Sequence, residues 1–238
     1  MSHIISTRID NHISVILQQQ NKIDREEHIS SGKLSASMLG KPLQEQILKI
    51  KGVPQKEVDE YTLRKFQRGK DVEDWLIKSI PNLVETQKPV EYRNVVGLVD
   101  AVVDASTWEQ NFGIMPLECK SVTNAKFKNI QRSGLADRGH VLQASLYALG
   151  MMTEYFAVTY IASDDYRILT MVYRVADYKA EVDQIIDRFQ HQLELNLIPV
   201  FEAIEAWQKN PMYASYPEFI GLTEEEANLK FKTEYEKK

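Results

Sequence analysis

The chain has 238 residues, 43% of them hydrophobic and 26% charged, a balance that suits a globular fold and excludes a largely disordered chain. A single cysteine, Cys119, excludes an internal disulfide framework, a four-cysteine zinc site and a four-cysteine iron–sulfur cluster. The net charge of −5 provides no global basic footprint for nucleic acid, so any such binding needs a local patch.

No apolar run approaches the roughly 20 residues that span a bilayer, and the N-terminus has no signal-peptide pattern, so no membrane partner and a cytoplasmic location are expected. No internal repeat or Gly/Ser linker breaks the chain. Ile9, Ile13, Ile16 and Leu17 form one stripe and predict a surface helix over Ile9–Gln20. A second helix is expected to open at Leu34-Ser-Ala-Ser-Met-Leu39 and to end near Gly52, with Pro54 beyond it. A third is expected over roughly Glu57–Ile80, before Pro81. Gly69 inside it costs about 1 kcal/mol relative to alanine, which suggests close approach by another backbone or a ligand.

Strands follow at Leu83–Tyr92 and Val95–Asp104, the second apolar on both faces and therefore central. Another runs Ile114–Ser121, with Pro116 marking its edge or start. A helix is expected over Asp137–Met152. Strands Tyr155–Ala162 and Ile168–Val175 flank the turn Ser163–Tyr166. A long amphipathic helix is expected over Tyr178–Gln208, and Thr223 and Glu226 have the spacing of a capping box. The order of elements predicts one α/β (α+β) domain with a helical N-terminal part (1–56), a core (57–176) and a C-terminal helix and tail (177–238).

Asp100 is an acid inside an apolar strand and needs a cation or hydrogen-bond donors if buried. Asp104 is four residues on, about 13 Å away at strand rise, and reads as a strand-end or turn residue. Glu118 and Lys120, at i and i+2, point to one face about 7 Å apart, while Cys119 points the other way, into the core. An acid beside a lysine suits phosphodiester hydrolysis: the acid holds a divalent metal, and the lysine orients or deprotonates water and offsets phosphate charge. A cross-strand salt bridge without chemistry is the other reading.

The order of these signals is more informative than any one of them. Gly69-x-x-x-Glu73, Gly97-x-x-Asp100, Pro116-Leu-Glu118-x-Lys120 and Gln143-x-x-x-Tyr147 follow one another along the chain. In this the chain resembles the PD-(D/E)XK nuclease superfamily, and within it the RecB-like exonuclease branch. The Leu34–Leu39 segment looks like that branch's Ser-containing helix start.

The resemblance covers about Leu34 to Ala176. It implies a restriction-endonuclease-like core, a central mixed β-sheet flanked by helices, and a Mg²⁺- or Mn²⁺-dependent DNA exonuclease of phage or bacterial replication, recombination or repair. Asp100, Glu118 and Lys120 would be catalytic. Glu73, Asp100, Glu118 and the carbonyl of Cys119 would hold the metal. Gln143 and Tyr147 would position the substrate strand. The chain departs from the pattern in lacking the histidine that some members carry at the position of Glu73. It also lacks the four cysteines of the iron–sulfur relatives. It has no helicase motor, so a separate helicase or recombination protein remains open as a partner, as does the oligomeric state.

Glu73 competes with Asp71 and Asp74 on the same helix, and an inward Glu73 stands against a surface carboxylate. Hard oxygen donors favour Mg²⁺ or Mn²⁺ over Zn²⁺. His140, one turn before Gln143, is left outside the core site. Lys126, Lys128 and Arg132, with Phe127 among them, would bind a DNA strand at single-stranded or frayed ends, Phe127 stacking on a base; a solvated loop is the alternative. Ser35 and Ser37 would donate to a phosphate or act as ordinary N-caps. Two further readings are a restriction-like or structure-specific endonuclease on the same core and a catalytically silent DNA-binding protein.

Overall fold

The computed structural model describes residues 15–19, 32–108, 110–210 and 212–236. The helix expected over Ile9–Gln20 lies mostly outside them, although residues 15–19 are helical. In chain order the strands are β1 (Leu34–Ser35), β2 (Leu83–Tyr92), β3 (Val95–Asp104), β4 (Ile114–Val122), β5 (Tyr155–Ala162) and β6 (Ile168–Arg174). The α-helices are α1 (Leu43–Ile50), α2 (Glu60–Ser79), α3 (Asn124–Ser133), α4 (Arg138–Met151), α5 (Lys179–Leu195) and α6 (Glu224–Glu234).

The architecture is a mixed α/β fold with a central mixed sheet flanked by helices. The strand order is β1-β3-β4-β5-β6, with β2 also paired to β3. The β1–β3 and β4–β5 pairs are parallel and the others antiparallel. A parallel pair needs a long crossover. Helices α3 and α4 supply it between β4 and β5.

Helix α4 buries Val141, Leu142 and Ala144 through Ala148, so it is apolar nearly all round and lies in the interior. Its Leu142, Leu146 and Tyr147 pack with Val95, Val99 and Val102 of β3, and its Val141, Ala144 and Ala148 with Phe156, Val158 and Tyr160 of β5. On the other face, Val72 and Leu76 of α2 pack against Ala101, Leu117, Cys119, Ala157 and Ile161.

Strand β3 changes partners along its length. Residues Val95 and Val96 pair with β1, and Ala101 through Asp104 pair with β4. Among the described residues, positions 97–100 have no strand on that side. Likewise β4 leaves β3 after Leu117 and continues beside β5 alone. The sheet therefore forks between β3 and β4.

Several expectations from the sequence need correction. Leu34–Ser35 is a strand followed by a 3₁₀ turn (Ala36–Met38), and the second helix starts only after Pro42, whose φ of −52° suits a helix entry. Pairing with β3 holds Leu34 and Ser35 extended, a tertiary contact that overrides their helix-like pattern. The long C-terminal helix ends at Leu195 because Asn196 adopts a left-handed conformation (φ 55°), and Pro199 follows; Gln208 lies in a separate 3₁₀ turn.

The segment after β4, for which a solvated loop is the alternative reading, is helix α3. Thr123 caps its start, and Phe127 and Ile130 anchor it in the core. No foreign group crowds Gly69: a Cβ added there meets nothing within 4 Å.

Close approach is real at Gly40 instead. A Cβ on Gly40 would sit 2.5 Å from the Cα of Gly139, so the loop before α1 rests directly on the backbone at the start of α4. Backbone cannot turn aside as a side chain can. Gly40→Ala should therefore destabilise by roughly 1–3 kcal/mol, the usual range for overpacking. Thermal unfolding checks this, and an unchanged melting temperature would mean the two segments separate freely.

Candidate active site

Where β3 and β4 part, the ladder leaves backbone N–H groups of β4 without a strand partner, and buried N–H groups need acceptors. Two carboxylates supply them. The Cys119 N–H donates to Asp100 Oδ2 (2.8 Å), and the Ser121 N–H donates to Glu73 Oε1 (2.7 Å). These residues are i and i+2 on β4, so both N–H groups point to the same edge. The carbonyl of Cys119 shares that edge, because N–H and C=O of one strand residue point the same way. Thus β3 contributes Asp100, α2 contributes Glu73, and both reach the open edge of the strand that carries Glu118 and Lys120.

Glu73 is half-buried while Asp71 and Asp74 are exposed, which places Glu73 inward. Asp104 caps the turn after β3, accepting from the Ser106 N–H at 3.1 Å, in line with a strand-end role. The Cys119 side chain is fully buried, on the α2 side of the sheet.

Glu118 is 0% exposed, and neither of its oxygens receives a well-aligned hydrogen bond. The Lys120 ammonium forms an ion pair with its Oε1 and lies 3.9 Å from Asp100 Oδ2. Burial pushes the Glu118 carboxyl up to about 8, with the nearby Lys120 ammonium opposing the shift. Burial likewise raises Asp100 and Glu73 above the usual carboxylate range. For Lys120 burial works downward, but the carboxylates of Glu118 and Asp100 outweigh it and hold the group above its ordinary value. Lys120 is therefore a firm cation.

Tyr147 is 2% exposed and fills a notch above Gly97, where a Cβ would lie 2.5 Å from its ring. Its hydroxyl accepts from Gln143 Nε2 at 2.6 Å. Burial and the charge of Glu118 raise its phenol. Tyr147 thus stands beside the Glu118 carboxylate, with half-buried Gln143 behind it. The hydroxyls of Ser35 and Ser37 lie 3.0 Å apart, and Ser35, at the N-cap position of the 3₁₀ turn, makes no side-chain capping bond to it.

The basic residues lie on or beside α3. Lys126 pairs with Asp137 (3.1 Å), Arg132 donates to Asn129 (2.7 Å), and Lys128 is exposed. Phe127, expected to stack on a base, is 1% exposed in the core and cannot do so; the Arg167 guanidinium covers its ring. The helix period that anchors α3 turns this aromatic inward.

Sequence reasoning missed Tyr160. It is the β5 partner of Lys120, and its hydroxyl accepts from the Asp137 N–H (2.9 Å) and lies 3.0 Å from His140 Nδ1. Burial, against the pull of Asp137, lowers His140 to about 4, so its imidazole is neutral at neutral pH. Only strand pairing reveals this cluster, because Tyr160 and Lys120 are distant in the sequence.

The donor set fits a divalent cation. Glu118 offers a buried carboxylate, Asp100 offers a second, and Lys120 supplies the positive charge between them. Among the described residues no three acid, histidine or cysteine side chains stand close enough to enclose an ion. Mg²⁺ is compatible with such a site, because it is commonly held by one or two carboxylates and otherwise by water and phosphate.

With this geometry in view, solved structures offer a comparison. An alkaline exonuclease from Laribacter hongkongensis superposes with a TM-score of 0.51 at 14% identity, covering 69% of this chain and 89% of that one. The likeness is one of fold. The same exonuclease in complex with dAMP superposes equally well (TM-score 0.51, 16% identity, 69% and 89% covered). The crystal structure of SSO0001 reaches 0.53 at 13% identity, covering 88% of this chain and 96% of that one. The likeness agrees with the central mixed sheet flanked by helices expected from the sequence. No protein-family model and no curated protein matches the sequence. No helix among the described residues is long and apolar enough to cross a membrane.

Proposed function

We propose that the protein is a Mg²⁺- or Mn²⁺-dependent DNA exonuclease of the RecB-like branch, hydrolysing phosphodiester bonds from strand ends in replication, recombination or repair. The observation that carries this reading is the meeting of Asp100, Glu118 and Lys120 at the sheet fork, with Glu118 fully buried and the Lys120 ammonium between the two carboxylates. The shared fold with an alkaline exonuclease, one of whose structures contains dAMP, supports a nucleic-acid substrate.

The chain's own residues divide the work. Asp100 and Glu118 supply the oxygens that hold the ion, and the Cys119 carbonyl lies on the same edge. The ion, when bound, polarises the phosphate and makes water a stronger acid. Glu73 keeps the open edge of β4 in place through the Ser121 N–H. Because the neighbouring carboxylates keep Lys120 protonated, it donates to phosphate oxygen or water and offsets developing negative charge rather than accepting a proton. Tyr147 and Gln143 hold the floor beside Glu118.

A nuclease assay tests the whole reading. With Mg²⁺, a linear single strand or a duplex with frayed ends should be degraded progressively to short products, whereas a covalently closed circle of the same sequence should resist. Excess EDTA should stop all cleavage. Cutting of the circle as fast as the linear strand would replace the exonuclease by an endonuclease. Full activity under complete chelation would remove the metal from the reading.

A further inference from the structure

If the protein acts on a DNA strand, some exposed aromatic surface near the carboxylates should meet the unstacked bases, and buried Phe127 cannot. Helix α2 carries another candidate. Phe66, Gly69 and Glu73 lie at i, i+3 and i+7, one stripe of the helix. Glu73 sits at the sheet fork and Phe66 about 10 Å along the axis from it.

Phe66 is 55% exposed, and among the described residues no aromatic ring pairs with it. Between them Gly69 breaks the helix-propensity rule without a packing reason, since a Cβ there would meet nothing within 4 Å. The fold does not need the glycine, so the stripe keeps an open floor for another reason. Lys65 lies beside the stripe, whereas Arg64 and Arg68, at i−2 and i+2 from Phe66, take the opposite face of the helix. Arg64 pairs with Glu60, the Lys65 ammonium lies 4.1 Å from the centre of the Tyr61 ring, and Arg68 lies 3.7 Å from Asp164. The Lys65 contact is exposed and of small worth, so a phosphate can replace it. On the opposite face of the helix, in line with Arg68, Trp75 packs edge-on against Tyr166 at 4.7 Å and ties α2 to the β5–β6 turn.

We propose that the Phe66–Gly69–Glu73 stripe of α2 is a track for single-stranded DNA: Phe66 stacks on a base next to the nucleotide at the carboxylates, Gly69 leaves room for the strand to pass, and Lys65 meets its phosphates. This deepens the nuclease reading and rests on it. Stacking and phosphate contacts are indifferent to base identity, so the track does not read sequence.

Fluorescence anisotropy with a labelled oligothymidylate in Ca²⁺, beside cleavage in Mg²⁺, tests the track. Phe66→Ala should weaken binding by about 5- to 150-fold, the loss of one stacked base, and Phe66→Trp should restore it. Gly69→Leu should weaken binding by obstruction. Gly69→Ala should raise the melting temperature by roughly 2–4 °C, showing that the helix itself gains from losing the glycine.

Trp108→Ala serves as the control, because Trp108 is also exposed (51%) but lies beyond the end of β3. It should leave affinity unchanged. Binding by Phe66→Ala within twofold of wild type, or an equal loss in Trp108→Ala, would overturn the track while leaving the nuclease reading intact if wild type cleaves. A wild-type protein that neither binds nor cleaves the strand would overturn both.

Discussion

Lys120→Ala should cut the rate of DNA cleavage by about 10²–10³-fold, the scale of losing one well-placed electrostatic donor, while keeping much of the affinity for Mn²⁺. Asp100→Ala and Glu118→Ala should lose metal binding and cleavage together. The distinction follows from geometry. Asp100 and Glu118 provide oxygens, whereas Lys120 provides a positive charge and can only accompany an ion, not ligate it as an ammonium group.

Removing Lys120 also deprives buried Glu118 of its counter-charge, and Glu118 will then hold its proton more tightly. Calorimetry on the three variants is therefore best run above pH 8, where proton competition is smallest. Wild-type turnover in Lys120→Ala would remove the lysine from the mechanism. Full Mn²⁺ affinity in Glu118→Ala would remove that carboxylate from the metal site.

The metal-free protein should lose stability as pH rises from about 4.5 to about 8, the interval between the ordinary and the shifted value of Glu118. The sign follows from proton linkage. The folded state binds this proton more tightly than the unfolded chain, so its stabilising effect is complete below the ordinary value and is lost as pH climbs through the shifted one. Asp100 and Glu73 are raised by burial too, and add in the same direction. Asp183, held down by Lys179, Tyr92 and Arg93 against the effect of burial, acts oppositely and confines its loss to the acid side.

Metal binding should reverse the trend. Mg²⁺ competes with the proton for the same oxygens, so the rise in melting temperature that it produces should grow with pH. Thermal melts across this interval, in EDTA and in Mg²⁺, provide the measurement. Glu118→Gln should flatten the metal-free profile. A metal-free melting temperature that rises with pH, and rises equally in Glu118→Gln, would show that Glu118 is not the buried acid described here.

The strands of the sheet after β1 were legible in the sequence itself. Leu83–Tyr92, Val95–Asp104 and Tyr155–Ala162 form at their expected bounds; the apolar runs of the last two leave the chain few other ways to bury that surface, whereas Leu83–Tyr92 buries only Val90. The spacing of Glu118 and Lys120 likewise fixed their common face, and the i, i+4 spacing of Gln143 and Tyr147 brought them into hydrogen-bond contact.

Other features depended on contacts between distant segments. Leu34 and Ser35 are a strand because β3 offers them a ladder, and Phe127 is core because α3 turns it inward. Phe66, on another helix, is the aromatic left outside. The candidate site was decided at the same level. Sequence periodicity tells which face of a strand a side chain takes, but not where its neighbouring strand departs. At Cys119 and Ser121 that departure leaves two backbone N–H groups open, and the cost of burying them without acceptors draws Asp100 and Glu73 into the fork beside Glu118.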